Sequence, residues 1–240
     1  MFLRERILYE DKYFLIYDKE PKVNSLAISP LICHRLDKET SGILIIAKNQ
    51  KIKEEIQKQF KNKTIKKEYI ALVLGKFDLI AERRVIVEGF IIRDKKNYQK
   101  RKFIPAFQIK NFSITGRKNE RYSKTKILPQ QIFEKQIFKK ANQKDLNYFS
   151  LIKAYPETGR THQIRLHLAS IHHPVLGDNL YGGKIMKKIS YILKIKRGLL
   201  HAYAIKMVHP ITNKVMSFQS EIPMDFQKII KNLQKVENER

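Results

Sequence analysis

The sequence predicts an α+β fold on three observations. Short runs of β-branched and aromatic residues recur along the chain, each bounded by polar turns, as packed strands are. Other stretches place apolar residues at helical spacing. Of the 240 residues, 42% are apolar, enough to bury a sizeable core without any run long enough to span a membrane.

In chain order, Ile7 to Lys19 reads as two short strands joined by the polar turn Glu10-Asp11-Lys12. Ile43 to Ala47 is too short and too rich in isoleucine for a core helix, and reads as a buried strand. Residues 49 to 61 place Ile52, Ile56 and Phe60 four apart among Lys, Glu and Gln, the pattern of an amphipathic helix. Strands follow at 66 to 75 and 84 to 92. Residues 127 to 147 are ambiguous, since Ile132, Phe133, Ile137 and Phe138 suit either a helix or a hairpin. Tyr148 to Ala154 alternates as a strand, and Pro156 to Arg160 forms a turn. Thr161 is the expected N-cap of a helix from His162 to Ile171, with Ile164, Leu168 and Ile171 on its apolar face. Leu199 to Ala202 opens a last strand pair, and residues 225 to 240 read as a charged terminal helix that frays.

Charge bounds the function. Lys and Arg total 49 against 23 Asp and Glu, a net charge of +26. An excess of that size attracts polyanions and argues against a protein acting on neutral small molecules. Two basic stretches carry aromatic residues, Arg93 to Lys102 with Tyr98 and Phe103, and 117 to 126 with Tyr122. Amines meet phosphates and rings meet bases, so the mixture suits single-stranded or looped nucleic acid. A third cationic stretch runs from Lys184 to Arg197. The single cysteine, Cys33, rules out an intramolecular disulfide, suits a reducing cytoplasm, and reads as a packing residue. His162, His167, His172 and His173 lack the four-residue spacing of a helical zinc pair, so no metal site is expected.

The stretch from Cys33 to Lys48 concentrates the chemistry. Asp37 lies in a polar turn opening onto the isoleucine strand, with Arg35 two residues away. A nearby cation favours the ionised carboxylate. Thr40, Ser41 and Gly42 punctuate the turn, and Gly42 can supply a backbone angle that other residues resist. On these features alone, a surface aspartate closing a turn is an equal alternative to a functional one.

His34-Arg35-Leu36-Asp37 followed by Thr40-Ser41-Gly42 resembles the catalytic motif of the RluA-type RNA pseudouridine synthases. Lys67, Tyr69, Ala71, Val73 and Gly75 are similar to a second motif of that family. The run Thr158-Gly159-Arg160-Thr161-His162-Gln163-Ile164-Arg165-Leu166-His167 resembles a third, continued by His173-Pro174-Val175-Leu176-Gly177-Asp178 and Tyr181-Gly182. Lys19-Glu20-Pro21 stands where the family has a Lys-Pro pair, with one extra residue between. The resemblance covers roughly residues 7 to 226 and implies a single catalytic domain over 1 to 240. Its mixed, largely antiparallel central sheet is flanked by helices, and there is no room for the S4-type RNA-binding domain that many relatives carry ahead of it.

The resemblance also implies roles. Asp37 is the catalytic carboxylate, Tyr69 stacks on the target base beside it and is a candidate to help remove the C5 proton, as acceptor or through water, and Arg165 pairs with the carboxylate. Leu200 lines the uracil pocket. His34, Arg35, Thr40, Arg160 and His162 contact RNA or substrate, and Arg35 is suited to fill the space of a flipped nucleotide with its planar guanidinium. The reaction detaches uracil from C1′, rotates it and rejoins it through C5. No atoms or electrons are exchanged, so no cofactor is expected. Three routes stay open to Asp37: attack on C1′, addition to the base, or removal of the C2′ proton. The expected partner is ribosomal or transfer RNA, bound by a monomer in the cytoplasm. A binding-only protein on the same scaffold is the alternative, and a nucleoside glycosidase ranks last because no second catalytic carboxylate is evident.

Overall fold

The computed structural model describes residues 3–77, 84–111 and 120–236. Positions 117–119 of the second basic stretch and 237–240 of the expected terminal helix lie outside the described residues. The chain forms two compact units, one of Met1–Tyr69 with Leu200–Pro223 and one of Ile70–Leu199 with Met224–Arg240. Each carries a mostly antiparallel sheet with helices, the α+β class the sequence predicts. No helix among the described residues is long and apolar enough to cross a membrane.

In the first unit, β1 (Ile7–Glu10) and β2 (Phe14–Lys19) form the expected hairpin. Its turn closes on Asp11, whose Oδ1 accepts the amides of Tyr13 and Phe14 at 2.7 and 2.9 Å. Strand β3 (Ser41–Ala47) is buried at every position. It pairs antiparallel with β2 from Ala47↔Phe14 to Gly42↔Lys19, and parallel with β9 (Leu200–Val208) at Ser41↔His201 and Gly42↔Ala202. Strand β10 (Val215–Gln219) completes the order β1-β2-β3-β9-β10. Helix α1 (Gln50–Lys61) starts at Asn49, whose Oδ1 accepts the Ile52 amide at 3.0 Å. It lays Ile52, Ile56 and Phe60 on Phe14, Ile16, Ile43 and Ile45, each fully buried aliphatic being worth about 1.5–3 kcal/mol. Cys33 belongs to this core, and burial pushes its thiol up to about 12. It is a packing residue, as expected, and a poor nucleophile.

Strand β4 (Lys66–Leu74) begins in the first unit and ends in the second. In the second unit β5 (Val85–Arg93), β6 (Arg101–Pro105), β7 (Arg121–Glu134) and β8 (Tyr148–Pro156) run antiparallel in the order β8-β7-β5-β6. The ambiguous stretch 127–147 is therefore the hairpin. Strand β7 continues to Glu134, and a short 3-10 turn, Ala141–Asn147, leads into β8. Its fold depends on Asn147, whose Oδ1 accepts the amides of Ile137 and Phe138, both at 2.8 Å.

Among the described residues this unit also holds the α-helices α2 (Gln163–Ser170), α3 (Gly183–Ile192) and α4 (Met224–Lys231). Two expectations need correction. The cap of α2 is His162 in the left-handed region (φ 59°), one residue after Thr161, because Gln163 anchors the turn instead. Its Oε1 accepts the Arg160 amide at 3.0 Å and the Thr158 hydroxyl at 2.6 Å, and its Nε2 donates to Lys124 O and Thr125 Oγ1. Over its described residues, 224–236, the terminal segment is held in place. Phe226 and Ile229 are buried, Arg197 clasps Asp225 at 2.6 and 2.9 Å, and β11 (Gln234–Lys235) pairs with β7.

His167, on α2, is fully buried against Ser123 and Thr125 of β7. Ser123 Oγ donates to Gly89 O at 3.1 Å, so it accepts from His167 Nε2 at 2.9 Å, and Nδ1 takes the Thr125 hydroxyl at 2.9 Å. The imidazole is neutral, and burial pulls its pKa down to about 4. A base with a depressed native pKa stabilises the fold fully above its unfolded value of about 6.5 and loses that contribution as pH falls through the native one. Melting temperature should therefore fall from pH 6.5 towards 4, by up to about 1.4 kcal/mol of stability per pH unit from this proton. His167→Gln should flatten that fall in a pH series of thermal melts.

Candidate active site

The loop carrying Asp37 is laid along β3 by its main chain and by two polar side chains, His34 and the buried Ser25. The Cys33 amide donates to Ile45 O at 2.8 Å, and Ala47 donates to Leu31 O at 3.0 Å. His34 Nε2 accepts the Ile45 amide at 3.1 Å, with its ring 4.8 Å from that of Phe60. Burial, helped by the charge of Lys67, pulls this imidazole down to about 3, which keeps Nε2 free to accept. Leu36 is clipped on both main-chain groups by the buried Ser25 hydroxyl at 3.1 Å. Asp37 O accepts the Thr40 amide at 3.0 Å, closing a tight turn over Lys38 and Glu39. Thr40 is buried within that turn, Asp37 is partly exposed, and Arg35 is exposed.

Lys19 was not assigned from sequence, yet it anchors this turn. It is fully buried, and its ammonium donates to Glu20 O at 2.7 Å, Val23 O at 3.0 Å and Lys38 O at 3.3 Å. Three carbonyls saturate the three donors of an ammonium, the condition under which a buried cation is tolerated. One of them belongs to the residue after Asp37. The available signal was a lysine ending an apolar strand just before a proline turn.

Tyr69 packs partly buried against Leu15, Tyr17, Leu36, Leu44 and Ala202. Burial, and next the negative charge of Asp37, push its phenol well above the usual range. The structure thus brings Asp37 and Tyr69 into each other's field within one unit. Leu200 is buried at the start of β9, ahead of His201, whose Nδ1 lies 3.0 Å from Ser41 Oγ.

The third motif lies in the second unit. Arg165 projects from α2 into a two-pronged pair with Asp178, Nε to Oδ2 at 2.7 Å and Nη2 to Oδ1 at 2.8 Å, and its guanidinium lies 5.2 Å from the centre of the Tyr181 ring. Asp178, buried and not assigned from sequence, also accepts the amides of Leu180 and Tyr181. The Tyr181 hydroxyl accepts the Arg101 amide at 3.0 Å and lies 2.8 Å from His162 Nδ1. Arg160 Nε donates to Tyr122 O at 3.0 Å, and burial with the nearby Arg121 lowers its pKa. Of the remaining motif histidines, His173 Nδ1 donates to Leu74 O at 2.9 Å and its ring stacks on Phe77, while His172 is exposed. Among the described residues no group of three or more His, Cys, Asp or Glu is placed to hold a metal ion.

Comparison with known proteins yields one family. The RNA pseudouridylate synthase model matches residues 10–170. Ribosomal large subunit pseudouridine synthase C of Buchnera aphidicola subsp. Schizaphis graminum is 31% identical over 251 residues, covering 96% of this chain and 71% of that protein. Ribosomal large subunit pseudouridine synthase D of Borreliella burgdorferi is 34% identical over 228 residues, covering 92% of this chain and 59% of that protein. The structure of human RNA Pseudouridylate Synthase Domain Containing 1 has the same fold, with a TM-score of 0.73 at 23% identity, covering 96% of this chain and 88% of that one.

Proposed function

This chain belongs to the RNA pseudouridylate synthase family, whose members are isomerases, and we propose that it converts specific uridines of large-subunit ribosomal or transfer RNA to pseudouridine with Asp37 as the catalytic carboxylate. The observation that carries the reading is the Asp37 turn itself. A partly exposed aspartate sits in a turn closed by the Thr40 amide on Asp37 O and anchored by the Lys19 ammonium on Lys38 O and by His34 on β3, with the Tyr69 phenol in its field. A positioned carboxylate on rigid supports is what covalent or general-base chemistry at a sugar–base junction needs.

The isomerisation breaks the C1′–N1 bond, turns the uracil, and forms C1′–C5; the proton lost from C5 is balanced by the one gained at N1. Asp37 acts at the junction. Tyr69 keeps its proton at neutral pH, because burial and Asp37 both oppose the phenolate, so its part is to stack on the base. Arg165 is proposed from its motif to take part in the reaction, and Asp178 fixes the plane of its guanidinium. Arg35, exposed beside the turn, is the residue to occupy the place of a flipped nucleotide. The reaction is redox-neutral, so the reading assigns no redox cofactor. It has a monomer working in the cytoplasm.

Mapping pseudouridines by carbodiimide-dependent primer arrest tests this. Ribosomal and transfer RNA from a strain lacking the gene should lose at least one stop, restored by the parent gene and not by Asp37→Ala. Full retention of every stop would instead favour a binding-only protein.

A further inference from the structure

Helix α3 has two unlike faces. Met186, Ile189 and Ser190 are buried, and the helix is clamped to the turn before it. The Gly177 amide meets Met186 Sδ at 3.2 Å, and a Cβ on Gly182 would lie 2.5 Å from Met186 Cβ, so this close approach requires glycine. The other face carries Lys184, Lys187, Lys188 and Tyr191, spaced three and four apart and therefore in one stripe. All four are exposed, Tyr191 at 86%. Lys194 and Lys196 extend the stripe beyond the helix.

Two facts separate this stripe from an ordinary solvated helix. No Asp or Glu occurs in the sequence between Asp178 and Glu221, whereas the lysines of α1 alternate with Glu54 and Glu55, and Lys58 pairs with Glu55 at 2.7 Å. The stripe also begins a few residues past Asp178, whose carbonyl accepts the Gly182 amide at 2.9 Å at the foot of α3. The same Asp178 grips Arg165. An anion held on α3 is thus in fixed register with the Arg165 pair, inside one unit.

We propose that the outward face of α3 is a docking ridge for the RNA strand flanking the target nucleotide. Lys184, Lys187 and Lys188 take successive phosphates, and Tyr191 takes the face of an unpaired base. The identity of the polyanion rests on the function proposed above. A row of amines with one outward ring matches a backbone with splayed bases better than it matches a membrane surface, which asks for a broad apolar face beneath the cations.

The test is a binding titration with the full chain and an in vitro large-subunit ribosomal RNA transcript over a series of salt concentrations. Reversing three lysines together, Lys184→Glu, Lys187→Glu and Lys188→Glu, should raise Kd about ten-fold or more and cut the slope of log Kd against log salt by about 2. Tyr191→Ala should raise Kd about five-fold or more and leave that slope unchanged. The control reverses Lys51, Lys61 and Lys63, exposed lysines at α1, and should cost less than about three-fold. Circular dichroism confirms that each variant is folded. The ridge is refuted if the α3 variant binds within two-fold of the parent, if the α1 control loses as much, or if the parent prefers phosphatidylserine vesicles to the transcript and loses them on the same reversal. The readout needs no turnover, so a failed ridge and a failed isomerase reading are distinguishable: the first shows in Kd, the second as absent pseudouridine formation by the parent.

Discussion

Asp37→Asn and Asp37→Ala should each abolish pseudouridine formation, a loss of about ten-thousand-fold or more, on any RNA the parent modifies. Removing a group that acts in the chemical step costs on this scale because the other members of the site cannot substitute for it. The fold should be indifferent. The turn's main-chain bonds run through Asp37 O and Lys38 O, which both variants keep, and the anchors Lys19, Ser25 and His34 are untouched. RNA affinity should stay within about three-fold, since one partly exposed carboxylate contributes little to binding a polyanion. The asparagine variant separates charge from shape, because it fills the same volume without a nucleophilic or basic oxygen. Release of tritium from RNA labelled at uridine C5 measures the reaction directly, as that hydrogen must leave. Retention of more than about a tenth of parent activity by Asp37→Ala would remove the carboxylate from the mechanism.

The Asp37 turn was legible because its determinants are local: four motif residues, a buried isoleucine strand and a glycine within one short stretch. The strands from β1 to β5 were legible for the same reason, each carrying its own burial pattern. What escaped was set by partners distant in sequence. Asn147 shapes residues 137 and 138 through a side-chain amide ten residues on, so the apolar spacing there is uninformative. Gln163 reaches to Thr125 and Lys124 on β7, and so the helix starts at His162 where local capping rules pointed to Thr161. The terminal segment looked fit to fray because its charges are plain in the sequence, while the Arg197 clasp and the β7 edge that hold it are not. Lys19 and Asp178 escaped for a related reason. A charged residue usually reads as solvent-facing, and only the folded chain shows three carbonyls around one and a guanidinium around the other.

Gly42→Ala should unfold or severely destabilise the first unit, and it is the structural counterpart of the Asp37 variants. Gly42 has φ of +107°, which an L side chain resists, and a Cβ there would lie 2.3 Å from Ala202 O on β9. The strain alone costs about 1–3 kcal/mol. The collision adds to it, because the blocking atom is backbone in a paired strand and cannot rotate away. Relief requires parting β3 from β9 at Gly42↔Ala202, the pair next to the buried Ser41–His201 contact, five residues after Asp37. A loss of about 3 kcal/mol or more is expected, which for a chain of this size lowers the melting temperature by about 6–12 °C. Gly183→Ala is the internal control. Its φ is also positive, at +67°, but nothing lies within 4 Å of the added carbon, so only the conformational cost remains, about 1–2 kcal/mol. Equal shifts for the two variants in thermal melts would show that the β3–β9 approach at Gly42 is not tight. A much larger shift at Gly42, with pseudouridine formation lost in whatever protein stays folded, would tie the height of the Asp37 turn to that single missing side chain.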